Sequence, residues 1–161
     1  MRATLLAFLL LLLPATEHLR AAACLTTLSG DHQFTPPSPY DSLSVPDGMY
    51  WYGTSAFWTR LAADGVWHTT GNVDRNGGYV AKLFFWSRDF DWRKEPQPDL
   101  IITAQRLDAD VPSTADSHAS TIFIGGKPAM MIGLHVPSAG CWQVNGHYGD
   151  HIVTFVVSVE P

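Results

Sequence analysis

Several residue patterns that mark common enzymes and metalloproteins are absent from this chain of 161 residues. It contains no Gly-X-Ser-X-Gly element of serine hydrolases, no His-Glu-X-X-His element of zinc proteases and no Cys-X-X-Cys pair. It also has no Asn-X-Ser/Thr acceptor for N-linked glycans. The sequence therefore leaves enzymatic activity open, favours a non-enzymatic protein and predicts no cofactor.

Charge is also scarce. Charged residues make up 16% of the chain, and acids outnumber bases, which gives a formal net charge of −5. This balance argues against nucleic acid or an anionic membrane surface as a partner. We expect a protein or glycan partner instead, and contact with a membrane only through a lipid on Cys24.

No apolar run is long enough to span a membrane. The longest, residues 5–13, falls well short of the roughly 20 residues that a spanning helix needs. Arg2 precedes the run, and three alanines at 21–23 offer the small side chains that a signal peptidase accepts. Residues 1–23 are therefore predicted to be a cleaved signal peptide, and the protein is expected in the periplasm, the cell envelope or the extracellular space.

Only two cysteines are present, Cys24 and Cys141. Cleavage after Ala23 would make Cys24 the first residue of the mature chain, where two alternatives stay open. Its thiol could carry a lipid, as in bacterial lipoproteins, or it could form a disulfide with Cys141. An even number of cysteines in an oxidising compartment favours pairing. Such a bridge would close a loop of more than about a hundred residues, worth about 4 to 5 kcal/mol in the chain-entropy model.

Turn-forming and aromatic residues, by contrast, are plentiful, with 11 Pro, 13 Gly and 12% aromatics. Four prolines within residues 35–48 exclude a helix there, so residues 24–48 are predicted to be an extended, proline-rich N-terminal segment. From 49 to 161, short apolar runs alternate with turns, and no helix of three turns is indicated. About eight or nine strands are expected, which predicts an all-β, antiparallel β-sandwich.

The last two predicted strands, residues 141–148 and 152–159, flank a Gly-Asp turn and alternate between apolar and polar side chains. With the preceding Gly140, this ending resembles the last two strands of immunoglobulin-like and fibronectin-type sandwiches. Trp142 stands where those folds usually place a corner tyrosine, so the phenolic hydrogen bond is lost. The chain is also similar to small uncharacterised exported bacterial proteins that end in a Gly-Cys-Trp strand. The resemblance implies an immunoglobulin-like fold, and a fold alone does not imply a function.

One candidate ligand site is an aromatic loop after the predicted strand at residues 79–86. Trp86, Phe90, Trp92 and Arg93 combine ring faces with a guanidinium, and nearby aspartates add carboxylates. Such side chains stack on the C–H groups of sugars and bind their hydroxyls, which predicts a glycan or protein site. The alternative is a loop folded back so that Trp92 closes one end of the sandwich.

A second candidate is a metal site at the final hairpin. His147, Asp150 and His151 surround its turn, and imidazole and carboxylate groups are ligands for zinc or copper. His118 or His135 could supply a third imidazole from elsewhere in the fold. The alternative is a polar hairpin tip exposed to solvent.

A weaker pattern is the alternation of Asn72, Asp74 and Asn76, which is similar to the start of a calcium loop. Asn and Asp are also common in turns for backbone reasons alone.

The leading hypothesis is an exported, non-enzymatic envelope or secreted β-sandwich that binds a protein or glycan. The alternative is a small metal-binding or metal-dependent periplasmic protein that uses His147, Asp150 and His151.

Overall fold

The structure is a computed structural model that describes residues 23–31, 34–68, 73, 77–115 and 118–161. All but the last residue of the predicted signal peptide lies outside this described part of the chain. Asn72, Asp74 and Asn76, the residues of the possible calcium turn, also lie outside the described part. Among the described residues, no helix has the length and apolar character needed to cross a membrane.

The described part of the chain contains ten strands and one short 3-10 helix (Ser29–Asp31). Two of the strands, β3 and β6, have only three and two residues. In chain order the strands are β1 (Met49–Gly53), β2 (Phe57–Ala62), β3 (Val66–His68), β4 (Tyr79–Ser87), β5 (Leu100–Arg106), β6 (Thr114–Ala115), β7 (Ser120–Ile124), β8 (Lys127–Val136), β9 (Gly140–Tyr148) and β10 (His151–Glu160).

The strands form two sheets. The first has the order β1-β2-β4-β8-β6, with β7 also paired to β8, and the second has the order β3-β10-β9-β5. Every strand pair is antiparallel except β3 with β10, which is parallel. The inner faces of the two sheets share one apolar core, in which Phe57 and Phe85 of the first sheet join Val144 and Phe155 of the second. The predicted all-β sandwich is therefore confirmed.

The immunoglobulin-like assignment remains a prediction, and the strand order is compatible with it. In immunoglobulin domains, strands A, B, E and D form one sheet and C, F and G the other. Here β2-β4-β8-β7 and β5-β9-β10 follow the same order when these seven strands are taken as A to G. The additional strands are β1, β3 and β6.

A second, smaller core lies on the outer face of the first sheet. Trp51, Trp58 and Trp86 project there from β1, β2 and β4 and are buried together with Tyr40. The Tyr40 ring meets Trp58 edge-on at 5.3 Å between ring centroids. The proline-rich segment thus covers a tryptophan layer that would otherwise face solvent, which explains why it has a fixed course without strand pairing.

The first described residues are held against the second sheet. The Thr27 backbone N–H donates to the Val156 carbonyl, and the Thr27 hydroxyl accepts from the Val156 N–H, each at 2.9 Å. Cys24 forms a disulfide with Cys141, 117 residues later in the chain. The predicted bridge is thus present, and a sulfur held in this bond cannot also carry a lipid.

Candidate functional site

The four residues of the predicted aromatic site separate into two groups. Trp86 is completely buried in the second core, and Phe90 is buried where its ring meets Tyr148 edge-on at 6.0 Å. Trp92 is half-buried and Arg93 is exposed. A buried ring cannot offer its face to a ligand, so only Trp92 and Arg93 remain at the surface.

Trp92 and Arg93 form a small surface cluster with Phe123, which lies near the end of β7. The Trp92 and Phe123 rings meet at 5.2 Å with an interplanar angle of 83°, and the Arg93 guanidinium lies 4.6 Å from the centre of the Trp92 ring. This geometry is a cation–π contact that occupies Trp92. Phe123 is 53% exposed, so it is the aromatic side chain most available for stacking here.

Two polar contacts tie the loop between β4 and β5 to the final hairpin. The Tyr148 hydroxyl donates to the Glu95 carboxylate at 2.6 Å, and His151 Nε2 lies 2.8 Å from an Asp89 carboxylate oxygen. Burial is the main cause that raises the pKa of Tyr148, and the bond to the Glu95 carboxylate raises it further. The loop is therefore anchored at one end of the sandwich.

The residues of the predicted metal site do not come together. His147 pairs with Ile152, whereas His151 pairs with Tyr148. Successive strand residues point to opposite faces, so the two imidazoles lie on opposite sides of the hairpin. Asp150 is exposed in the turn, and no group of three His, Cys, Asp or Glu side chains suited to a metal is found within the described ranges. The geometry therefore gives no support to the metal-binding alternative.

The outer face of β5, β9 and β10 carries a different kind of surface. Strand pairing aligns its outward side chains in three rows, and none of the nine is Asp, Glu, Lys or Arg. We call this surface the uncharged face; its rows are Ile101-His147-Ile152, Thr103-Asn145-Thr154 and Gln105-Gln143-Val156.

The first row of the uncharged face is apolar and open to solvent. Ile101 and Ile152 are 55% and 58% exposed on either side of His147. In the second row, the Thr154 hydroxyl donates to the Asn145 side-chain oxygen at 2.9 Å, and the Asn145 amide donates to Thr103 at 3.5 Å. The middle of the face therefore holds its side chains in place before any partner arrives.

The amino-acid sequence alone does not indicate the uncharged face as a site. Its alternating pattern shows which side chains of β9 and β10 point away from the core. It does not show that β5 joins β9, and this pairing places Ile101 beside His147. If the pairing of β5 with β9 were known, the lack of charged side chains at every outward position of three neighbouring strands would indicate this site.

Comparison of the sequence with protein-family models finds no match, and comparison with curated proteins finds none either. Neither comparison therefore supplies a ligand or a reaction for this chain. The function has to be inferred from the surfaces that the sandwich presents.

Proposed function

We propose that this chain is an exported, non-enzymatic β-sandwich that binds another protein through the uncharged face. The observation that carries the proposal is the row in which Ile101 and Ile152 stand exposed on both sides of His147. Isolated exposed apolar residues are ordinary, but here two of them share one row of a sheet face that lacks Asp, Glu, Lys and Arg, which favours an interaction surface.

The composition of the uncharged face favours a protein partner. The centres of protein–protein interfaces are depleted in charged residues, because each buried charge must lose its water. A surface with no formal charge avoids that cost over three strands. The hydrogen-bonded row through Asn145 is ordered in advance, so less side-chain entropy is lost on binding.

Export is supported by the disulfide and by the signal pattern in the sequence. Disulfides form and persist in oxidising compartments and are rare in the cytosol. The bond between Cys24 and Cys141 holds the residue that follows the predicted signal peptide against the last strands. We therefore propose the periplasm, the cell envelope or the extracellular space as the location of the protein.

Site-specific photocrosslinking in the protein's own host tests the proposal. A benzophenone amino acid at Thr103, in the middle of the uncharged face, should yield one discrete crosslinked product whose second chain is identified by mass spectrometry. Adding Ile152→Lys should reduce that product at least tenfold, because binding would then bury an unpaired charge.

The matched control is Phe123→Lys, which places the same charge at a side chain of similar exposure on the other sheet. It should leave the product unchanged. No discrete product, or a product that Ile152→Lys leaves intact, would contradict the proposal. A crosslinked mass of twice this chain would identify a second copy as the partner.

A glycan site at Phe123, Trp92 and Arg93 is the second candidate. The exposed Phe123 ring is suited to stacking on a sugar, and Arg93, which lies over the neighbouring Trp92 ring, could bond sugar hydroxyls. Glycan-array binding that is lost in Phe123→Ala and in Trp92→Ala, and kept in Ile152→Lys, would support it. Binding that survives both aromatic changes would exclude this cluster.

A further inference from the structure

A cleft opens where β2 and β4 separate. Their pairing ends at Thr59 with Phe85, after which β2 continues beside β1 alone and the chain turns at Gly65 into β3 of the other sheet. The space between the strands has a volume of about 730 Å³, within the range of small-molecule sites. Both sheets therefore contribute to its walls.

Arg60 lines this cleft without an acidic partner. Its guanidinium lies 4.7 Å from the centre of the Phe84 ring and 5.9 Å from that of Trp86. No carboxylate or hydrogen-bond acceptor contacts it among the described residues. Arg106, by comparison, binds Asp108 at 2.6 Å and also Ser138.

The surroundings of Arg60 make the missing partner significant. The residue is half-buried, and burial lowers the pKa of its guanidinium below the usual value. Arginine still keeps its charge in proteins, and its five N–H donors are arranged to meet a carboxylate or phosphate in pairs. Contact with the face of the Phe84 ring stabilises the positive charge of Arg60 in part, but it uses none of these N–H donors.

The sign of the charge in the cleft is opposite to that of the protein. Two of its described lining residues, Arg60 and Lys82, are basic, and none is Asp or Glu. The whole chain nevertheless has a net charge of −5. Such a local excess of positive charge attracts anions to the cleft.

Apolar side chains make up most of the remaining wall. Trp67 reaches inward from β3, where its ring lies 6.0 Å from that of Phe155 in the core, and Val80 and Leu83 line the β4 side. The cleft thus combines an apolar interior with a guanidinium and an ammonium group. A ligand that matches both parts has an anionic head and an apolar body.

We propose that this cleft binds an amphipathic organic anion, a carboxylate carried on an apolar chain. The carboxylate pairs with the guanidinium of Arg60, and Lys82 adds a second positive charge. The apolar chain packs against Trp67 and Val80. This site is separate from the uncharged face and does not depend on the protein-binding proposal.

Isothermal titration with decanoate, decanol and acetate tests the site. Decanoate should bind at least tenfold more tightly than decanol, which lacks the charge, and than acetate, which lacks the apolar chain. Arg60→Met keeps an unbranched apolar side chain and removes the charge, so it should weaken decanoate at least tenfold and leave decanol unchanged.

Two further variants keep the test decisive. Lys82→Gln changes an exposed side chain and should weaken decanoate severalfold, so the site can still be judged if Arg60→Met fails to fold. Arg88→Gln removes an exposed arginine outside the cleft and should have no effect. Equal binding of decanoate and decanol, or decanoate affinity that neither Arg60→Met nor Lys82→Gln lowers, overturns the proposal. A decanoate Kd weaker than about 1 mM also overturns it.

Discussion

The indole N–H of Trp142 donates a hydrogen bond to the carbonyl oxygen of Ser138, four residues earlier, at 3.1 Å. In immunoglobulin-like domains a tyrosine at this corner donates its hydroxyl to the backbone a few residues upstream. With tryptophan at this position, the sequence predicts that the phenolic hydrogen bond is absent. In the structure the indole N–H of Trp142 makes a backbone hydrogen bond of its own, and the completely buried ring also fills the main core.

Two substitutions at position 142 separate the hydrogen bond from the packing. Trp142→Phe and Trp142→Tyr both remove ring volume and should each lower the free energy of unfolding by about 2 kcal/mol or more. Tyrosine can restore a donor toward Ser138, so its loss should be about 1 kcal/mol smaller. Urea unfolding followed by circular dichroism measures both. Equal losses would show that the corner bond contributes nothing.

The strands could be predicted because their side-chain pattern is local. β9 and β10 alternate clearly around Gly149 and Asp150, and β4, which lies between two neighbouring strands, is apolar apart from Lys82 and its last residue, Ser87. Which strands pair is a non-local property. Asp64 and Gly65 indicate a tight turn, yet β3 does not fold back on β2 and instead joins the other sheet parallel to β10.

The candidate aromatic site was harder to predict for the same reason. Trp86 and Trp92 are equally aromatic and close in sequence, and nothing local distinguishes them. Trp86 is buried because Tyr40 and other residues of the distant N-terminal segment complete the layer in which it lies. Trp92 stays near the surface beside Phe123, which comes from a hairpin more than two dozen residues later.

Removing the disulfide should destabilise the fold strongly. The double change Cys24→Ala and Cys141→Ala releases a constraint across 117 residues and should lower the free energy of unfolding by about 3 to 5 kcal/mol. Reduction of the unchanged protein with dithiothreitol should lower its urea midpoint to that of the variant. The variant itself should not respond to dithiothreitol. A double variant as stable as the parent would show that the N-terminal segment is held by other contacts.

The close approach of the N-terminal segment to Gly65 can be tested with a matched glycine. Gly65 has φ +70° and Gly126 has φ +75°, so alanine is strained by about 1 to 2 kcal/mol at either position. A Cβ at Gly65 would also lie 2.5 Å from the Cβ of Thr26, whereas one at Gly126 meets nothing within 4 Å. Gly65→Ala should therefore lower the free energy of unfolding by about 1 to 3 kcal/mol more than Gly126→Ala. Equal losses in urea unfolding would mean that Thr26 moves aside freely.

Stability at high pH should depend on the bond between Tyr148 and Glu95. Burial, and then the Glu95 carboxylate, raise the pKa of Tyr148 in the folded state above the value of about 10 for an unfolded chain. The folded state therefore favours the protonated hydroxyl. The contribution of the protonated Tyr148 hydroxyl to the free energy of unfolding is complete below about pH 10. It is lost as the pH rises from there toward the folded-state pKa of Tyr148.

Tyr148→Phe removes both the bond and the titration. It should lower the free energy of unfolding at pH 7 by about 1 to 3 kcal/mol, because a charged acceptor loses its donor. As the pH rises above about 10, the usual tyrosine pKa, the parent should then lose stability more steeply than the variant. Glu95→Gln keeps an acceptor oxygen without its charge, so its slope should lie between the two. Parallel loss of stability in all three proteins, measured by urea unfolding at each pH, would contradict this account of Tyr148.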